Sequence, residues 1–364
     1  MIAWRAYLFK APMVQRIMKT KLNPIEFRSD NSAGIAPKIM DAVIAANRGS
    51  ALAYGADDWS ARLGEQVREV FEHPEAIIFP VLTGTAANAI ALSALCPPWG
   101  SVLCHETAHI LRSECGSTSM FGAGAVMRPL PGEHYQVSAS GVKAAFAATR
   151  WGDNHHSQPS VLSLTNPTDF GTVYTTQQIK DLAELAHQRG LHVHMDGARL
   201  ANAIVSLGCT PADLTWRAGV DMFSLGATKN GVLTADAIVC FNSAMAQELS
   251  FRLKRAGQVA SKMRFQAAQL SAYLEDGYWL TLARGANSAM QRLYSGLKAR
   301  AIPLLVEPAA NMAFVKVSDA MADKLQASGL LFYRTAPGLI RLVTSFETTE
   351  ADIDEALRRV DACV

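Results

Sequence analysis

Between about residue 60 and residue 245, short apolar runs alternate with segments whose apolar positions recur every three or four residues. That rhythm predicts a mostly parallel sheet flanked by helices. Strands are expected at residues 76–79, 101–104, 161–164, 192–195, 222–224 and 237–241. Several are too evenly apolar for a half-exposed sheet, as strands covered on both faces should be. Between them, Ser60 is expected to cap a helix that buries Leu63, Val67 and Val70. Thr85 opens a second helix with Ile90, Leu92 and Leu95 inward, and a third begins near Thr175 and stops at Gly190.

The pattern changes after Phe241. Residues 244–298 are rich in Ala, Gln, Leu and Arg and read as two long helices, the first broken near Gly257. A strand at 312–317, a helix at 319–328, a strand at 339–344 and a terminal helix capped by Thr349 follow. This is a smaller α+β unit. No internal repeat or low-complexity segment interrupts the order.

Composition narrows the class. A chain of 364 residues can bury a large core, and its formal net charge of +2 calls for neither nucleic acid nor an anionic membrane. No apolar run approaches the roughly 20 residues that span a bilayer. The six cysteines contain no C-x-x-C pair, so reduced thiols in a cytoplasmic setting are expected. Arg5, Lys10, Arg16, Lys19 and Lys21 precede the first acid, Glu26. Such a stretch can be an organellar presequence. The absence of serine before Arg28 favours an upstream start codon or a short basic arm.

The strongest chemical signal is His194-Met195-Asp196-Gly197-Ala198-Arg199 at the end of an apolar run. Ligands of open α/β sheets sit beyond the carboxyl ends of strands. The next expected strand leads into Leu225-Gly226-Ala227-Thr228-Lys229, a lysine in a small-residue loop. Two neighbouring strand ends can thus point an acid and an amine into one pocket. Pyridoxal phosphate requires that pair: an amine to form the imine, and an ionised acid to keep the ring nitrogen protonated. Taken singly, a loop lysine is usually solvated and an Asp-Gly usually makes a turn. Thr83-Gly84-Thr85 adds a third element, since amides at a helix start can bind a phosphate group. Without a partner motif, a capped helix start is the commoner reading.

Together, Arg28-Ser29-Asp30, Tyr54-Gly55 with Asp57, Thr83-Gly84-Thr85, His109, Asp196-Gly197-Ala198-Arg199, Lys229 and Arg341-Leu342-Val343-Thr344 resemble the threonine aldolase family. The resemblance implies a fold-type-I pyridoxal-phosphate fold, with a large cofactor-binding domain over residues 27–250 and a small C-terminal domain over 251–364. Residues 1–26 lie outside it. Lys229 would carry the cofactor as a Schiff base, Asp196 would pair with the pyridine nitrogen, and Gly84 and Thr85 would bind phosphate. His109 would stack on the ring. Ser29, Arg199 and Arg341 would hold the substrate carboxylate, for which the planar arginine fork is suited; for Arg341 an ion pair with a protein acid is the alternative.

Tyr54 and Asp57, and with them Lys262 and Arg264, match segments that reach a neighbouring subunit's site in the family. A homodimer or homotetramer is therefore implied, and no metal is expected. Gln258-Val259-Ala260-Ser261 replaces the family's usual glycine-rich run. Where many members have Glu-Asn-Thr-His, this chain has Thr165-Asn166-Pro167-Thr168 followed by Asp169, so an active-site histidine is missing. His109, Thr168 or a water must then take the hydroxyl proton. The expected reaction is retro-aldol cleavage of an L-3-hydroxy-α-amino acid of threonine, allo-threonine or phenylserine type to glycine and an aldehyde. β-Elimination, transamination and a non-catalytic binding subunit are the rivals.

Overall fold

Evenly apolar runs fit only where both faces of a strand are covered, and here they become one central sheet. The computed structural model describes residues 23–363, so the basic residues Arg5 to Lys21 lie outside the described residues. The chain enters through a short strand, β1 (Ile25–Glu26). It then forms β2 (Ile77–Val81), β3 (Gly100–His105), β4 (Val126–Leu130), β5 (Gln158–Thr165), β6 (His192–Gly197), β7 (Met222–Leu225) and β8 (Asp236–Cys240). Their order across the sheet is β2-β8-β7-β6-β5-β3-β4. Strands β3 to β7 run parallel, while β8 is antiparallel to both of its neighbours, β7 and β2. Strand β2 thus points with the parallel set. The carboxyl ends of β2, β3, β5, β6 and β7 open on one edge, and β8 begins there.

Helix starts obey local capping. Asp57, rather than Ser60, caps the helix Asp58–Val70, its Oδ1 accepting the Ser60 N–H at 2.9 Å. The helix Gly84–Leu95 begins one residue before Thr85, with Thr83 Oγ1 accepting from Ala86 N–H at 3.1 Å. Thr175 opens Thr176–His187 through a reciprocal capping box with Gln178.

Residues 243–299 form three helices, the first two standing where one helix broken near Gly257 was expected: Ser243–Arg255, Arg264–Leu274 and Tyr278–Ala299. The expected break at Gly257 is present, and Asp276 and Gly277 add a second with φ of 54° and 66°. A three-stranded antiparallel sheet follows, from β9 (Met312–Lys316), through β11 (Tyr333–Ala336) to β12 (Leu339–Val343). Between them β10 (Leu330–Leu331) pairs in parallel with β1. Packing crosses residue 250. Tyr273, Trp279 and Leu282 join the large core, whereas Leu293 and Leu297, further along the same helix, join Phe27, Ile340 and Leu357 in the small one.

Candidate active site

The end of β6 and the end of β7 approach so closely that side chains are excluded between them. A Cβ on Gly226 would lie 2.2 Å from Ala198 O, and one on Gly197 would lie 2.4 Å from Ser224 O. This contact carries Asp196 and Lys229 to the same sheet edge. Because β8 starts there, Asp236 can hold the lysine loop: its Oδ1 accepts the amides of Ala227 at 2.8 Å and Thr228 at 3.0 Å. Lys229 is half-buried. Its amine makes no hydrogen bond or ion pair among the described residues, and it lies in the field of Asp30 and Asp169.

Asp196 is buried, and its oxygens are satisfied by N–H donors. Oδ1 accepts Ala198 N–H at 3.0 Å, and Oδ2 accepts Asn88 Nδ2 at 3.0 Å. Asn88 comes from the nearly all-buried helix Gly84–Leu95 and also donates to Glu114 Oε1 at 2.9 Å. Glu114 in turn meets His109 Nδ1 at 2.9 Å. That hydrogen bond is the main reason the His109 pKa is raised, against the opposing effect of burial. A polar chain therefore runs from Asp196 through Asn88 and Glu114 to His109, and it fixes which ring nitrogen stays open.

At the helix start, Gly84 leaves open space: an added Cβ would meet only Asp236 Oδ2, at 3.7 Å. Thr85 is half-buried beside it. Thr228 Oγ1, on the facing lysine loop, is buried without a partner. A hydroxyl stranded in this way calls for an acceptor.

The two arginines differ. Arg199 makes a fork with Asp30, Nε to Oδ2 at 2.6 Å and Nη2 to Oδ1 at 2.9 Å, and Asn311 supports the same acid at 3.1 Å. Burial would raise the Asp30 pKa, but the Arg199 charge and hydrogen bond hold it below the usual carboxylate range. Arg341 has no acid within ion-pair distance among the described residues. Its Nη2 donates to Arg28 O at 3.1 Å, and its Nε is buried without a partner. Burial first, and the nearby Arg199 charge second, lower its pKa. Ser29 lies next to Asp30 and caps a short turn by accepting from Asn31 N–H at 3.2 Å.

After β5 the chain makes a tight loop. Thr168 Oγ1 is buried and bonded to Thr172 Oγ1 at 2.7 Å, so its hydroxyl closes the loop on itself. Asp169 Oδ2 accepts the His109 amide at 3.1 Å. Burial, together with Asp196, pushes the Asp169 carboxyl up to about 6, despite His109, Arg199 and Lys229 nearby.

Tyr54 stands apart. It is 58% exposed, its N–H donates to Ser261 O at 3.1 Å, and the Lys254 amine lies 4.6 Å from its ring centroid. Arg264 bonds Gly49 O at 3.1 Å, and Lys262 is exposed on the same surface. No contact among the described residues joins Tyr54, Lys262 or Arg264 to Lys229. The other expected residues, Ser29, Gly84, Thr85, His109, Thr168, Asp196, Arg199, Lys229 and Arg341, lie on strand ends, helix starts and loops at the same sheet edge or on the small-domain strand facing it.

Pyridoxal phosphate suits this donor set: an unpaired amine, an acid with one face of its environment fixed, an open amide end with a stranded hydroxyl, and an arginine lacking an anion. Asn88, Glu114 and Asp236 join the site beyond the residues expected from the sequence. Asn88 and Asp236 carried a usable signal, each being polar within an apolar segment; Glu114 sits in no periodic pattern.

Comparison with known proteins agrees in scale with the whole chain. Residues 26–320 match the family model described as beta-eliminating lyase. A low specificity L-threonine aldolase of Pseudomonas sp. is 39% identical over 333 residues, 91% of this chain and 95% of that protein. One from Pseudomonas aeruginosa is 39% identical over 92% of this chain and 96% of its own length. Among solved structures, a Leishmania major threonine aldolase superposes with a TM-score of 0.87 at 28% identity, covering 93% of this chain and 98% of that one.

Proposed function

The chain belongs to the low-specificity L-threonine aldolase family of pyridoxal-phosphate-dependent aldehyde-lyases, and from that premise we propose how its own residues perform the reaction. The reaction is retro-aldol cleavage of an L-3-hydroxy-α-amino acid, of threonine, allo-threonine or phenylserine type, to glycine and an aldehyde. The observation that supports the assignment of roles is the convergence of an unpaired Lys229 and a buried Asp196 at one edge of the large sheet with an acid-less Arg341 on the small-domain strand β12.

Lys229 would hold the cofactor, Asp196 its ring nitrogen, Gly84, Thr85 and Thr228 its phosphate, and His109 one face of the ring. When bound, the cofactor supplies an electron sink conjugated to the substrate amino group. Arg341 takes the substrate carboxylate, whose charge fills the need left by the missing acid. Ser29 and the Arg199–Asp30 pair shape the same end of the cleft. Fixing the carboxylate fixes rotation about the substrate's N–Cα bond and so orients the bond to be broken. Glu114 holds His109 by Nδ1, leaving Nε2 toward the cleft.

Tyr54, Lys262 and Arg264 belong on this reading to a neighbouring subunit's site, so the working unit is a homodimer or homotetramer. No helix among the described residues is long and apolar enough to cross a membrane. All six cysteines are unpaired, which supports a reducing, cytoplasmic setting.

The test follows aldehyde release and visible absorbance with L-threonine, L-allo-threonine and phenylserine. The wild type should show the imine band and release aldehyde with equimolar glycine; Lys229→Ala should lose both. Ammonia with a 2-oxo acid (2-oxobutanoate from threonine, phenylpyruvate from phenylserine) in place of glycine and aldehyde would make the chain an eliminating enzyme. An imine band surviving Lys229→Ala unchanged would remove Lys229 from its role.

A further inference from the structure

The aldol step needs a group that removes the β-hydroxyl proton, and the candidates visible in the sequence are compromised by their surroundings. Thr168 spends its hydroxyl on Thr172 and is also approached by the amides of Phe170 and Thr172, at 3.4 and 3.2 Å. His109 has Nδ1 committed to Glu114, and its ring is the group assigned above to stack on the cofactor face rather than to meet the substrate's β-hydroxyl. We infer that the base is Asp169, a residue in the loop after β5 whose carboxylate takes the proton from the substrate's β-hydroxyl. The inference rests on the aldolase reading above.

Geometry supports it in three ways. First, Asp169 stands among the charged groups of the site: it accepts the His109 amide, and Asp196 on β6, Arg199 in the loop after β6 and Lys229 in the loop after β7 are near enough for their charges to act on it. Arg341, on β12 of the small domain, responds to Asp169 in turn. Second, only one oxygen is used. Oδ2 accepts the His109 amide at 3.1 Å, whereas Oδ1 has no partner among the described residues, and the residue is half-buried rather than sealed.

Third, the loop is rigid. Phe170 is stacked between Tyr135, with centroids 3.7 Å apart, and Phe314, at 4.7 Å. Gly171, at φ 83°, lies so close to Met312 O that a Cβ would fall 2.5 Å from it. A side chain carried on such a loop is pre-organised for proton transfer. The aromatic stack also ties the acid to the small-domain sheet that carries Arg341, so carboxylate binding and proton removal share one scaffold.

The step balances without another reactant. The O–H proton passes to Asp169, and the O–H pair becomes the second bond of the aldehyde carbonyl. The Cα–Cβ pair stays with Cα, which later gains one proton to complete glycine. Asp169 then returns to its ionised form.

The pH dependence has a definite sign. A base must be ionised to act, and the carboxyl titrates near 6 under the combined influence of burial and Asp196, opposed by the three cations. Activity is therefore retained above that pH and lost as pH falls through it, about tenfold per unit.

The experiment uses the cofactor-loaded enzyme and Asp169→Asn, which keeps an oxygen for the His109 amide and so preserves the loop. Two reactions are compared: aldehyde release from L-threonine and phenylserine, and exchange of the glycine α-proton in deuterated water, which involves no hydroxyl proton. Aldehyde release should fall by about 10²–10⁴-fold. Glycine exchange should stay within a few-fold, and the acid limb of the kcat/KM profile should vanish. Aldehyde release within several-fold of wild type would overturn the inference, as would an equal loss of both reactions, the mark of a merely structural role. A wild type that exchanges glycine but releases no aldehyde would overturn the aldolase reading itself, and this inference with it.

Discussion

Arg199 and Arg341 lie close enough for the charge on the first to depress the pKa of the second, yet only Arg199 has an acid. A half-buried guanidinium with a stranded Nε gains more from a carboxylate than one already paired, because the cost of removing its hydration is already met. Arg341→Gln is expected to weaken kcat/KM by about 30-fold, equivalent to roughly 2 kcal/mol, chiefly through KM since the carboxylate is present before and during the reaction. Arg341→Lys should recover only part of this, because a point charge cannot make the two-pronged contact. Steady-state kinetics check both. A substrate analogue lacking the carboxylate should react equally poorly with wild type and variant; a residual 30-fold difference there would assign Arg341 to the fold instead.

The junction of β6 and β7 acts as a unit, since its two glycines let the strand ends close and thereby set the distance between Asp196 and Lys229. Gly226→Ala would press a methyl against Ala198 O at 2.2 Å, where backbone must shift. Overpacking of this kind costs about 1–3 kcal/mol, and the shift falls on the lysine loop. A lower thermal midpoint and faster loss of the cofactor's visible band are expected. Gly285→Ala is the control: it lies in the helix Tyr278–Ala299 with nothing within 4 Å, and alanine should stabilise there by up to about 1 kcal/mol. Elements of this kind were legible in sequence where pattern and chemistry coincided, as at β6 and β7, where an apolar run ends on an acid or a lysine loop. Strand β4 gave little signal, because an edge strand reading Val-Met-Arg-Pro-Leu is half-exposed and not evenly apolar. Glu114 and Asp169 were illegible as site members for another reason: their importance comes from neighbours 26 and 60 residues away in the chain, Asn88 and His109.

At the scale of the whole molecule, the segment around Tyr54 is the part of the expected site that one chain does not bring to the cleft. It is nonetheless built with care. Tyr54 is held at φ 58°, unfavourable for a tyrosine, by its bond to Ser261, and Gly55 packs on Met263 with an added Cβ only 3.0 Å from sulfur. Leu82 and Phe251 are exposed at 54% and 67% as well. A strained, exposed aromatic braced from behind by Lys254 makes physical sense if a second copy supplies what it faces. In a two-fold dimer each cleft would then take Lys229 from one subunit and Tyr54 with Arg264 from the other. That arrangement makes subunit mixing decisive. Lys229→Ala and a Tyr54→Phe, Arg264→Ala double variant should each be nearly inactive alone. Co-expressed in equal amounts, random pairing makes half the dimers mixed, and each mixed dimer holds one intact site and one doubly damaged site. About a quarter of the wild-type sites should therefore return, read as aldehyde release per mole of subunit. Mixed dimers purified on two different tags and found inactive would confine every catalytic group to a single chain.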